Sequence, residues 1–174
     1  MTPGSTTPPP PTRQRVDAAW RNAVDGAATP GLNATALAIG WATVELDRAA
    51  AELAEALGLG GVAPFRSAPR SVALGCACRI ARAVLPGGGS LLLLEPDTEG
   101  RVAGSLARRG EGPVAAWLTP QAPGAPHGSS IGRLTLSSER DGPLGGERLV
   151  VEEEGGVWGL HRLVVVRPAG TIHP

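Results

Sequence analysis

The segment that decides the fold of this chain runs from Ala36 to Leu118. Four apolar runs in it have the length and composition of strands: ALAIGWATVEL (36–46), VALGCACRIARAVL (72–85), SLLLLEP (90–96) and PVAAWL (113–118). Two segments between them have helical spacing, DRAAAELAEAL (47–57) and TEGRVAGSLARRG (98–110). The order strand, helix, two strands, helix, strand predicts an α+β domain in which helices pack on a sheet.

Composition limits the function classes that the chain can serve. Its 174 residues are enough for one domain with a real core, or for two small fused units. Sixteen basic and sixteen acidic residues cancel, which argues against a nucleic-acid or membrane-surface partner. Every basic residue is an arginine and tyrosine is absent, so a Schiff base, a lysine base and a tyrosine acid are excluded for this chain alone.

The N-terminus and the cysteines predict a cytoplasmic protein. The first residues, MTPGSTTPPPPTRQR, lack the apolar segment of a signal peptide. No apolar run approaches the roughly 20 residues needed to span a bilayer. Cys76 and Cys78 are two residues apart on a strand, where Cα atoms are roughly 6.5–7 Å apart, at the limit for a disulfide. We expect both to be reduced and to fill the sheet as small apolar residues; the alternative is a thiol pair that faces a cavity.

Three local signatures resemble the vicinal-oxygen-chelate superfamily, which includes glyoxalases, bleomycin-resistance proteins and methylmalonyl-CoA epimerases. They are GWATVELDRA (40–49), the strand end LLLLEP (91–96) and RRGEGPVAAWL (108–118). The resemblance covers about half of the chain. It implies paired βαβββ modules that form a curled mixed sheet around a cleft, with a reduced or missing helix in the second module.

This resemblance suggests a division of the chain into five parts. They are a disordered proline-rich tail (1–14), an N-terminal helix (15–30), the first βαβββ module (31–118), a degenerate β-rich second module (119–168) and a short tail (169–174). In the N-terminal helix the apolar stripe is Val16, Ala19, Trp20, Ala23 and Val24. In the first module, Asp47 is the expected N-cap of the first helix. Residues 61–70 are expected to form a loop, and the second module is expected to have strands at 131–137, 147–153 and 157–166.

The resemblance also implies a divalent metal, which enzymes of the superfamily use as a Lewis acid on a substrate oxygen. The usual ligands are His, Gln or Glu on the first strand, the third strand and the corresponding strands of the other module. In this chain the matching positions fall at about Ala38, Leu92 and Ala115, and none of these side chains has a donor atom. We therefore predict no metal site and no cofactor.

The remaining donors offer no recognised metal-ligand spacing. They are His127, His161, Glu95, Glu139, Glu147 and the triplet Glu152–Glu154. We expect His161 to be a core or rim residue, Glu152–Glu154 to be a solvated turn, and Glu95 to bond backbone amides of the helix that follows it. A shifted metal site that uses His161 and nearby glutamates stays open as the alternative.

The tryptophans suggest a first hypothesis for function. Trp41, Trp117 and Trp158 supply large flat surfaces in or near strands, and with His161 they are the predicted ligand-binding residues. The favoured interpretation is a metal-free protein that binds an apolar or planar small molecule. The alternatives are a metal-dependent lyase, isomerase/epimerase or dioxygenase with a shifted metal site, and a non-catalytic partner subunit. The expected partners are a small-molecule ligand and a second copy of the chain in a homodimer, with no nucleic acid and no membrane.

Overall fold

The computed structural model describes residues 11–28, 32–61, 63–121, 130–131, 134–151 and 159–170. Three helices lie in these ranges: α1 (Thr12–Ala27), α2 (Leu46–Leu57) and α3 (Arg101–Arg109). The strands are β1 (Ala34–Ala42), β2 (Arg66–Ser71), β3 (Cys76–Leu85), β4 (Gly89–Pro96), β5 (Gly112–Pro120), β6 (Ser130–Ile131), β7 (Leu134–Leu136), β8 (Arg140–Gly142), β9 (Gly145–Val151) and β10 (His161–Pro168). Trp158, His127 and Glu152–Glu154 lie outside the described residues, as do the tails 1–10 and 171–174.

The strands form one mixed sheet in the order β2-β3-β4-β1-β5-β10-β9-β7-β6, with β8 paired to β9. The pairs β1–β4 and β5–β10 are parallel, and β1 joins the two halves through its antiparallel pairing with β5. The sheet curls so that its first strand, β2, comes close to β8 near the other end of the order. The amide of Val72, just after β2, donates to the carbonyl of Asp141 in β8 at 3.0 Å. The α+β class and the curled mixed sheet were predicted correctly.

Helices α1 and α2 cover the outer face of this sheet. Val16 and Trp20 of α1 and Leu53 of α2 are buried against it, in one cluster with Ile39 and Leu91. Val24, which was predicted to lie in the same apolar stripe, is 44% exposed. Ala23 and Ala27 complete the buried face of α1 instead. Among the described residues, no helix is long and apolar enough to cross a membrane.

Different residues fix the two ends of α2. Asp47, the expected N-cap, lies in the first turn and does not cap the helix. Instead, the backbone amide of Leu46 donates to the carboxylate of Glu95 at 3.1 Å. Glu95 therefore does bond a helix amide, but in α2, which precedes it, rather than in α3. Gly58 ends α2 in the left-handed conformation with φ 66°, which glycine adopts without steric cost.

Two strands were missed because they are short or lie at the sheet edge. The predicted loop 61–70 contains most of β2, which pairs only with β3. Pro69 is tolerated there because the register shifts between Ala68 and Ser71 and an edge position has no second neighbour. The three residues of β8 form a tight hairpin with β9. None of the described residues after Pro120 is helical, in line with a second module that has a reduced helix.

Candidate functional site

The inner side of the curl, which we call the cup face, contains Ala38, Leu92, Ala115, Trp117 and Leu163. Ala38, Leu92 and Ala115 are the three expected metal-ligand positions, and all are fully buried at 0% exposure. Strand register indicates the fourth metal-ligand position. Gly40 pairs with Leu92 in the first half of the sheet, and Trp117 pairs with Leu163 in the second half. Gly40 lies two residues after Ala38, and Trp117 lies two residues after Ala115, so Leu163 is the counterpart of Leu92.

Trp117 fills the centre of the cup face. It is fully buried, and its ring lies over Gly40 so closely that a Cβ there would be 2.8 Å from the indole. The same Cβ would lie 2.6 Å from the side chain of Leu94. Glycine at position 40 is therefore required by the close approach of these two side chains. The interior in which a metal would be expected is packed with hydrocarbon.

Glu147 is the one fully buried carboxyl on this face. The Trp117 indole N–H donates to its Oε2 at 2.7 Å, the Ser71 hydroxyl donates to its Oε1, and a backbone hydrogen bond comes from Ala73. Burial raises the pKa of Glu147, and the hydrogen bonds from Ser71, Trp117 and Ala73 oppose that rise. The carboxyl links β9 with β5 and with the distant strand β2, so it holds the curl closed.

The residues present do not fit a divalent metal. The four equivalent strand positions have no donor atom, and the described part of the chain has no group of three His, Cys, Asp or Glu side chains that could hold one. Cys76 and Cys78 are buried in the cup-face core with their sulfurs 4.0 Å apart. The hydrogen bond with Cys78, followed by burial, raises the pKa of Cys76, so its thiol stays protonated.

The open part of the cup face is a cleft of about 480 Å³ at its rim. This rim cleft lies between the start of α3 and the β8–β9 hairpin, and Leu149 lies in its wall. Its polar side chains are Arg101, Arg140, Ser137 and Ser138, with no acidic residue among the described lining. Two guanidinium groups and two hydroxyls give the cleft the character of a site for an anionic small molecule.

His161 lies at the start of β10, where it pairs with Ala115; it is not among the described lining of this cleft and is linked to it through Arg101. Its Nε2 is 3.4 Å from the Ser105 hydroxyl, and a hydrogen bond joins it to the backbone of Arg101. Burial, followed by the charges of Arg101, Arg109 and Arg108, lowers the pKa of His161 below its usual 6.5. The imidazole is therefore neutral at pH 7 and able to accept a proton.

The structure separates the tryptophans that the sequence grouped. Trp41 lies on the outer face, with the Arg15 guanidinium 4.8 Å from its ring centroid, whereas Trp117 lies on the cup face. The two do not line one cleft, and Trp158 lies outside the described residues. His161 and Trp117 share the cup face, and a ligand-binding role for either stays a prediction.

The rim arginines are the site residues that sequence reasoning missed. A signal for them existed in TEGRVAGSLARRG, where Arg101, Ser105 and Arg108 have the spacing i, i+4, i+7 of one helix face. The stretch was used only to locate a helix. Arg140 had no such signal, because its strand β8 was not foreseen.

Comparison with solved structures identifies this fold as that of methylmalonyl-CoA epimerases, which is the vicinal-oxygen-chelate fold. The epimerase from Mycobacterium tuberculosis matches with a TM-score of 0.55 and 18% identity over 75% of this chain and 85% of its own. A variant of the Streptomyces coelicolor epimerase in complex with 2-nitronate-propionyl-CoA matches with a TM-score of 0.55 and 17% identity over 80% of this chain and 97% of its own. A hypothetical protein from Bacillus halodurans matches with a TM-score of 0.53 and 15% identity, over 75% and 92%. No family model and no curated protein matches the chain.

These matches correct two predictions. The favoured interpretation, a metal-free binding protein, is wrong by this comparison, because the structures that share the fold include methylmalonyl-CoA epimerases. The prediction of no cofactor is contradicted for the same reason, since enzymes of this superfamily are the members expected to use a divalent metal.

Proposed function

We propose that this chain is an isomerase or epimerase that acts on a small anionic carbonyl compound in the rim cleft. Such a reaction removes a proton from the carbon beside a carbonyl and returns a proton to the opposite face of that carbon or to a neighbouring atom. It needs a deprotonated base and a group that stabilises the oxyanion formed in between. His161 is the proposed base and Arg101 the proposed oxyanion partner.

The observation that carries this proposal is that the neutral His161 is hydrogen-bonded to the backbone of Arg101, a residue that lines the cleft. Its long 3.4 Å contact with Ser105 is at the outer limit of a hydrogen bond, so this contact engages Nε2 only weakly. Arg101, one of the arginines that lower its pKa, also lines the cleft and would attract an anionic substrate. Perturbed titratable groups beside a cleft are typical of catalytic sites.

The substrate class follows from the cleft and from the neighbours. Arg101 and Arg140 suit a carboxylate, and the volume of about 480 Å³ suits a small molecule. The epimerase structures include one in complex with methylmalonyl-CoA, so acyl-CoA thioesters are the first compounds to test. Vicinal-oxygen-chelate superfamily membership, a homodimer and a cytoplasmic location belong to the same proposal.

The test is solvent deuterium incorporation at the α-carbon of a panel of acyl-CoA thioesters, including methylmalonyl-CoA, followed by mass spectrometry. The full chain is assayed with a chelator and again with added Mg²⁺, Mn²⁺, Co²⁺ or Zn²⁺. We expect exchange in both conditions and a loss of about 100-fold or more in His161→Gln, the size usual for a general base. Arg101→Gln should also lower kcat/KM.

Arg82→Gln is the matched control, because Arg82 is an exposed arginine on β3, away from the rim cleft. It should leave the exchange rate unchanged, and all three variants should keep the melting temperature of the parent. Exchange that depends entirely on added metal and survives His161→Gln would contradict His161 as the base. Absence of exchange for every thioester in both conditions would overturn the proposed reaction.

A further inference from the structure

A second cleft, of about 560 Å³, lies between α1 and the starts of β5 and β10. This α1 cleft is formed in part by Arg15, Arg21 and Arg109, together with the amide side chains of Gln14 and Asn22. The described lining contains no acidic residue. Three guanidinium groups around one opening are more positive charge than packing requires.

Among the described residues, the hydrogen bonds of these arginines are made to backbone carbonyls and not to carboxylates. Arg15 donates to the carbonyl of Glu111 at 2.7 Å, Arg21 to that of Asp17 at 3.4 Å, and Arg109 to that of Gly159. A carbonyl fixes the position of a guanidinium without cancelling its charge. The carboxylate of Glu111 is bonded by Thr43, Val44 and Arg48 instead, and that of Asp17 lies 3.9 Å from Nε of Arg13.

Arg15 is held in place before any ligand arrives. Its guanidinium stacks over Trp41 at 4.8 Å, and it passes so close to Gly112 that a Cβ there would lie 2.1 Å from Nη2. The glycine in the GEGP turn therefore makes room for this arginine. A cation fixed by stacking and by a hydrogen bond loses little side-chain entropy when an anion binds.

We propose that the α1 cleft binds the phosphate group of a phosphate-bearing small molecule. Arginine forks match the oxygens of a phosphate, and three of them can share a dianion or a pyrophosphate. Ala18 and Leu160 in the same cleft give the uncharged part of such a molecule an apolar surface. This site goes beyond the proposed function, since none of its residues lines the rim cleft.

The experiment is a calorimetric titration of the full chain with inorganic pyrophosphate. We expect saturable 1:1 binding that weakens as salt is raised and falls at least tenfold in Arg109→Gln and in Arg21→Gln. Arg21 is exposed and makes one long contact, so its variant tests the site without a risk to folding. Arg82→Gln is the control and should bind as the parent does.

His161→Gln keeps this test separate from the proposed reaction, because it removes the base and leaves the α1 cleft intact. Pyrophosphate affinity that is unchanged in His161→Gln and lower in Arg21→Gln supports an independent site, whatever the outcome of the deuterium assay. Equal affinity in the parent, Arg21→Gln and Arg109→Gln would overturn it, as would the lack of saturable binding at about 10 mM pyrophosphate, where even a millimolar site is mostly filled.

Discussion

Glu147 and His161 project from the same face of one sheet and differ in almost every other respect. Glu147 pairs with Val165 on β10, and His161 lies four residues earlier on that strand, about 13 Å away along it. Glu147 is fully buried with protein donors at both oxygens. His161 is half-buried, makes one long side-chain contact and is surrounded by arginines.

This difference shows that one sheet can contain a titratable group with a structural role, Glu147, and another with a proposed chemical role, His161. A buried carboxyl whose oxygens are all occupied cannot reach a substrate, but it fixes the strands that bond to it. A half-buried imidazole next to Arg101, which lines an open cationic cleft, can exchange a proton. Variants of Trp117, Glu147 and Gly40 test the structural side of this contrast, and a variant of His161 tests the chemical side.

The largest effect is expected from Trp117→Ala. The change removes a fully buried indole and leaves Glu147 without one of its donors, so we expect a loss of about 3–5 kcal/mol in unfolding free energy. Urea denaturation measures it. Trp117→Phe keeps one aromatic ring and should cost less, about 1–3 kcal/mol, because it removes the N–H and part of the indole but not the whole side chain. Equal losses for the two variants would mean that the Glu147 contact, and not packing, accounts for the effect.

The next effect is expected at Glu147 itself. Glu147→Ala leaves the Ser71 hydroxyl and the Trp117 N–H without their acceptor, which should cost about 1–3 kcal/mol for each donor that stays unpaired. Glu147→Gln keeps an acceptor and the side-chain volume, so it should cost less than Glu147→Ala at every pH. A smaller loss in the alanine variant would show that the carboxyl does not hold the curl closed.

The pH dependence of Glu147→Gln has a definite sign. Burial raises the folded-state pKa of Glu147 above 4.5, so the stability that its protonated form contributes is present below pH 4.5 and is lost as pH rises through the folded pKa. Glutamine does not titrate. The stability of Glu147→Gln relative to the parent should therefore rise between pH 4.5 and pH 8, measured by urea midpoints across that range.

Gly40→Ala tests the centre of the cup face with a smaller change. The added methyl group meets Trp117 and Leu94 at well under van der Waals distance, so we expect a loss of about 1–3 kcal/mol from overpacking. In the Trp117→Ala background the same substitution should cost much less, because the ring that it meets is gone. If the losses from Gly40→Ala and Trp117→Ala were additive in the double variant, the Trp117 ring would not be in contact with position 40.

These residues also show how far the sequence could predict the molecule. Every strand and helix in 36–118 except the edge strand β2 was recovered, because apolar runs are local signals. Trp117 and Trp41 were grouped wrongly because a bulge in β1–β5 and the two faces of a sheet are decided by pairing, which a single sequence does not reveal.

The candidate site was the harder part for a comparable reason. The rim cleft joins Arg101 of α3 with Arg140 of β8, 39 positions further along the chain, and only the curl of the sheet brings them together. The contact of Glu147 with Ser71 has the same origin, since it spans 76 positions. Sequence reasoning gave Glu147 the role of a possible metal donor, and its hydrogen bonds assign it to the structure instead.

The smallest expected effect on stability is at His161. Because burial and the three arginines lower the folded-state pKa of His161, the unfolded chain binds its proton more readily, and this residue's contribution to stability is lost as pH falls below the unfolded value of 6.5. His161→Gln should therefore flatten part of the decline in stability between pH 7 and pH 5, by less than any effect above. An NMR titration, with His161 assigned by its loss in the variant, should give a pKa below 6.5 that rises with salt as the arginines are screened. A pKa at or above 6.5, unmoved by salt, would mean that His161 is solvated like any surface histidine, and the contrast with Glu147 would then be one of burial alone.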